Sequence, residues 1–200
     1  MRWILRIAGV VFVAWAAFMA SPFYALHDLA RAVEARDANE IAERVNFRAL
    51  RLSLTKQIVD AYLVAHGRAQ EIGASNRNLA SAAGASLADP LVRDLLTPEA
   101  ILDLLDDGWP QAKGGPPPAE LAGTRFAVDW TSVGEAARLF MASETRGFRK
   151  IYMPIPPDRP KAERFTLYWR LSGTTWRLTG VDLPASLQQR LIRELPRPTT

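Results

Sequence analysis

The chain contains no cysteine. Disulfides, thiolate metal sites and thiol nucleophiles are therefore excluded, although a cysteine-free chain suits either side of a membrane. Histidine is nearly as scarce, with only His27 and His66. His27 directly precedes Asp28, and adjacent residues on a helix do not face each other, so the pair makes no acid–base couple. Lysine occurs only at 56, 113, 150 and 161, and arginine carries most of the formal charge of +4. That excess is mild. It suits a solvated face or an anionic membrane surface, and we expect no nucleic-acid partner. No G-x-S-x-G, phosphate loop or dinucleotide fingerprint occurs. Asp103, Asp106 and Asp107 share one helical side but lack the loop and the terminal glutamate of a dedicated Ca²⁺ site, so they read as a solvated face. We assign no catalytic residue, no metal and no cofactor.

One long apolar run is present. Ile7 to Leu26 carries no charge, and Arg2 and Arg6 precede it. About 20 apolar helical residues cross the hydrocarbon core of a bilayer. A cleaved signal peptide and an uncleaved signal anchor both fit. Cleavage after Ala20 would put bulky Phe18 at a position that wants a small residue, and Ala14–Trp15–Ala16 would leave a very short apolar run. We therefore read residues 1–21 as an anchor that meets the lipid bilayer through residues 3–21. Positive charge stays inside, so the remainder, 22–200, is expected as one extracytoplasmic α+β domain, periplasmic in a bacterium. Ser21–Pro22 should end the membrane helix and can open the next, with Ser21 as N-cap.

Helical patterns follow. Phe23, Leu26, Leu29, Ala30 and Val33 recur at helical spacing. Asp37 to Glu40 reads as a capping-box variant before a short helix with Ile41, Ala42 and Val45. Phe47, Leu50, Leu54, Ile58 and Tyr62 form the stripe of a longer helix that should stop near Gly67. Residues 68–88 are rich in Ala, Ser, Gly and Asn and read as a loose helix or a flexible linker. Short helices are expected from Asp89 to Leu95 and from Thr97 to Leu105, and Gly114 to Pro118 marks a loop.

From Arg125 the pattern turns to strands: 126–130, 137–143, 149–154, and a hairpin from Arg164 to Pro184. In the hairpin, Phe165, Leu167, Trp169 and Leu171 alternate with Thr166, Tyr168, Arg170 and Ser172, as a half-buried strand requires. A turn at Ser172–Thr175 would set Leu171 opposite Trp176 and Trp169 opposite Leu178. The apolar parity slips after Leu178, and Gly180 marks an expected bulge. An amphipathic helix over 184–195 closes the chain. Helices first and strands afterwards indicate an α+β fold.

SPFYALHDLARAVEARDANEIAERVNFRALRLSL, at 21 to 54, resembles the opening of the DUF2939 proteins, a bacterial family of unknown function. Ser21, Pro22, Tyr24, Ala25, Leu26, Asp37, Val45, Phe47, Leu50, Ser53 and Leu54 carry the likeness, with Asn46 where an Asp is expected. LLTPEAILDLL, at 95 to 105, is similar to a later segment of that family. The resemblance implies a membrane-associated protein and supplies no activity. The layout of helices followed by a curved antiparallel sheet is also similar to NTF2-like or cystatin-like folds, the first of which often holds a ligand between sheet and helices.

On this reading the candidate pocket residues are Trp130, Tyr168, Trp169 and Arg170, with Trp169 and Trp176 also expected in the core. Arg146, Phe148, Arg149 and Lys150 form a candidate membrane or partner surface. The expected function is that of a non-enzymatic module for a small apolar ligand or an envelope partner. The alternatives are an enzyme with a cone-shaped pocket and a structural subunit of an envelope complex.

Overall fold

The computed structural model describes residues 2–65 and 133–194. The expectations for Gly67, 68–88, the helices of 89–105, the loop at 114–118, the strand at 126–130, His66 and Trp130 fall outside those residues. Helix α1 (Arg2–Glu34) is followed by α2 (Ala38–Arg44) and α3 (Phe47–Ala65). Then come α4 (Val133–Ala142), β1 (Glu144–Thr145), β2 (Lys150–Ile155), β3 (Phe165–Ser172), β4 (Thr175–Asp182) and α5 (Ala185–Glu194). The four strands form one curved antiparallel sheet in the order β1-β2-β3-β4.

Helix α1 corrects the expectation of a break at Ser21–Pro22, because its 33 residues run through Pro22. Proline removes an N–H and orphans the carbonyl four residues back, here that of Phe18. The Ser21 hydroxyl donates to that carbonyl at 2.7 Å, and the turn survives. From Trp3 to Trp15 the apolar side chains are exposed. From Pro22 onward the same helix buries Ala25, Leu26, Leu29, Ala32 and Val33 in the core. The helix ends with Arg36 at φ 51° and with Asp37 N–H donating to Ala32 C=O at 2.9 Å, a left-handed cap. Asp37 then caps α2, accepting from the N–H groups of Asn39 and Glu40.

Val45 makes a parallel bridge to Leu178, and the Asn46 N–H donates to the Leu178 carbonyl at 2.8 Å. This pairing brings the chain to the edge of β4 away from β3. Asn46 Oδ1 accepts from the Ala49 N–H and starts α3 there. Leu50, Leu54 and Ile58 of α3 enter the core, while Phe47 and Tyr62 are half-buried.

The hairpin has the expected pairs, Leu171 with Trp176 and Trp169 with Leu178. Its turn is tighter than expected: Ser172 pairs with Thr175, and Gly173 turns the chain at φ +63°. The register shifts between Tyr168 and Trp169, Tyr168 pairs with Gly180, and Thr179 is the extra residue of the bulge. Residues 137–143 are not a strand but the last part of α4 and its cap. Ala, Arg, Leu and Met are good helix formers, Glu135 suits the first turn, and Leu139 alone in that stretch is deeply buried.

Candidate functional site

Three sites of interest cluster on the sheet and the helices beside it. The first is a network on the face of β3 that carries Tyr168. The Tyr168 hydroxyl donates to Asp182 Oδ2. Gln57 Nε2 donates to Asp182 Oδ1 at 3.0 Å, and Gln57 Oε1 accepts from the Leu183 N–H at 2.9 Å. The Tyr168 and Tyr152 rings meet edge-on, 4.6 Å between centroids, and the Arg146 guanidinium lies over Tyr152 at 5.1 Å. Burial, with the Asp182 hydrogen bond second, pushes the Tyr168 phenol well above its ordinary value. The phenol is thus held as a neutral donor, and both carboxylate oxygens of Asp182 are engaged. This arrangement ties α3 to β4.

The second is an open cup of about 300 Å³ on the same face, lined by Ser53, Lys150, Tyr152, Tyr168, Arg170 and Thr179 among others. Of the expected pocket residues, the fold brings Tyr168, Trp169 and Arg170 to this cup, together with Lys150 from the expected surface set. Trp169 is 1% exposed, and its ring belongs to the core. Trp130 lies outside the described residues.

The third is a crevice of about 250 Å³ at the foot of the exposed half of α1. Phe18, Met19, Pro22 and Phe23 line one wall, and Phe140, Phe148, Lys150 and Trp176 face them. The Phe23 and Phe140 rings are 5.4 Å apart, and those of Phe18 and Trp176 are 6.4 Å apart. Trp176 Nε1 donates to Ser21 Oγ at 2.8 Å. Phe148 is 79% exposed at the crevice mouth, on the loop that also holds Arg146 and Arg149. Met141, on the neighbouring helix α4, is 83% exposed. Sequence reasoning missed this crevice, since it joins residues more than a hundred positions apart. The one local signal was the Ser-Pro pair inside an apolar run.

Among the described residues no set of three or more His, Asp or Glu side chains is arranged to hold a metal. His27 is half-buried on α1. The Asp103, Asp106 and Asp107 trio lies outside the described residues.

Comparison with known families matches residues 11–104 to the family described as "Protein of unknown function (DUF2939)". That range takes in α1 from Val11 onward, with the Ser21–Pro22 pair, and the whole of α2 and α3. The resemblance read from residues 21–54 and 95–105 is therefore found, and it carries no activity with it. No curated protein and no solved structure matches the chain, so the likeness to NTF2-like folds gains no support from a known structure. Helix α1 is long and apolar enough to cross a membrane, and a signal sequence passes the same test.

Proposed function

We propose that this protein is a single-pass, membrane-tethered binding module, with its α+β body on the extracytoplasmic side, and that it holds a small apolar ligand rather than catalysing a reaction. In a bacterium that side is the periplasm. The observation that carries the reading is the continuity of α1. The apolar half passes without a break into the half that fills the core. Cleavage near Ala20 would take away Phe18 and Met19, which are part of the crevice wall. A retained helix keeps that wall, so the geometry favours an anchor over a removable leader. Arg2 and Arg6 ahead of the apolar run favour a cytoplasmic N-terminus. The binding role is supported by an aromatic crevice with Phe148 exposed at its mouth.

Alkaline extraction of membranes, followed by N-terminal sequencing of the protein, tests the tether. The expected result is a membrane-bound chain with its first residues intact. Release into the supernatant, or a mature terminus at or beyond Ser21, would overturn it.

A further inference from the structure

Lys150 lines both the polar cup and the aromatic crevice. It also begins a row of like charges. Lys150 pairs across the sheet with Arg170, and Arg170 pairs with Arg177. All three are exposed. Like charges directly opposite each other on a sheet destabilise it. Among the described residues, the ion pairs found join Arg44 to Asp28 and Glu40, and none relieves this row. The carboxylates on the same face are otherwise placed: Asp182 is held by Tyr168 and Gln57, and Glu144, across from Tyr152, makes no ion pair with the row. The row lies one residue pair from Trp176, whose indole is bonded to α1 at Ser21. It is therefore at the end of the sheet nearest the apolar half of α1, on the face opposite Trp176, and Lys150 at the strand end joins it to the crevice.

We propose that one anionic phospholipid of the surrounding bilayer docks here, its phosphate held at the cup by Lys150 and Arg170, with Arg177 adding charge beside them, and an acyl chain laid round the strand end at Lys150 into the crevice past Phe148 and Phe18. The inference rests on the tethered reading above and narrows the apolar ligand of the crevice to the acyl chain of a charged lipid. Charge complementarity selects the headgroup, because unrelieved cations near a membrane surface attract anionic lipid. Continuity selects the source: the crevice opens beside the helix that enters the bilayer, so a tail can enter without crossing water. Exposed Phe148 adds apolar surface at the crevice, as interfacial binding requires.

The full chain, purified in a non-ionic detergent and offered equal amounts of phosphatidylglycerol and phosphatidylcholine, is examined by native mass spectrometry. We expect a retained phosphatidylglycerol in preference to phosphatidylcholine. Lys150→Gln and Arg170→Gln should each lower that preference about fivefold. Arg193→Gln, which removes an exposed cation on α5, should leave it unchanged. Thr145→Trp, which fills the crevice from β1, should reduce retention of either lipid. Equal retention of the two lipids by the unaltered chain, or Lys150 and Arg170 variants that behave like Arg193→Gln, would overturn the proposal. Alkaline extraction of the same variants keeps the two readings apart. A chain that stays in the membrane without lipid preference sinks only the phospholipid site, whereas a chain that washes out sinks the tether.

Discussion

Ser21 does two jobs with one hydroxyl. It donates to the Phe18 carbonyl that Pro22 leaves unpaired, and it accepts from the Trp176 indole N–H. Both partners are groups that are costly to bury unpaired. Ser21→Ala should therefore destabilise the body by about 1–3 kcal/mol. Adding Trp176→Phe removes the orphaned indole N–H, so the double variant should lose less than the sum of the two single losses. Denaturant melts of all four proteins in one detergent give the coupling, and strict additivity would show that the hydroxyl does not join the two elements. Tyr168 offers a test by pH. Its folded pKa lies above the ordinary 10.0, first through burial and then through Asp182. The neutral phenol thus contributes stability that is fully present below the unfolded value, near pH 10, and is lost as pH rises through the folded one. Absorbance titration should show one of the four tyrosines ionising later than the rest, and Tyr168→Phe should abolish that late step. A single common transition would contradict the geometry.

At the scale of elements, α3 lies close against the bulge in β4. A Cβ at Gly180 would meet Ser53 Oγ at 2.8 Å, Tyr168 Cδ2 at 3.0 Å and Ser53 Cβ at 3.2 Å. Gly180→Ala should cost about 1–3 kcal/mol by overpacking. Ser53→Ala should recover part of that loss, since it removes the nearest atom and leaves the other two. A neutral Gly180→Ala in a thermal melt would mean that α3 stands further off. This bulge was legible in the sequence because a slip in period-2 alternation is a local signal, and Trp169, Leu178 and Val181 declare their faces one by one. The helix at 133–142 was not legible as such. Leu139, Phe140 and Met141 form a short apolar run, and such a run does not distinguish helix from strand without its neighbours. The continuity of α1 was hidden for a different reason. The rule that proline ends a helix is sound for the backbone alone, and here a side chain supplies the missing donor. The crevice was legible only in pieces: Phe148 and Lys150 were marked as a surface, but what brings them to Phe18 is the Trp176–Ser21 contact across 155 positions. The cationic row was half visible, with Lys150 and Arg170 singled out and their pairing dependent on strand register.

For the whole molecule, the decisive property of the proposed tether is that it and the body share one helix. A rise of 1.5 Å per residue makes α1 about 50 Å long, and crossing the hydrocarbon takes about 30 Å of that. The remainder is core, so in the proposed membrane-bound state no slack would separate the bilayer from the crevice and the Lys150 row. A body on a flexible tether would sample many heights above the membrane, whereas one carried on a continuous helix would have a fixed height and a fixed face. Ten Gly and Ser residues inserted between Ala20 and Ser21 should leave the protein in the membrane after alkaline washing. They should nevertheless free residues 144–150 from the lipid surface. Hydrogen exchange of that segment in nanodiscs containing phosphatidylglycerol should be slow for the unaltered chain and faster for the insertion. Raising the salt from 0.1 M to 1 M shortens the screening length from about 10 Å to about 3 Å, so it should move the unaltered chain toward the behaviour of the insertion. Identical exchange in the two proteins at low salt would mean that the segment meets water in both, and that the helix holds the body near the bilayer without pressing this face against it.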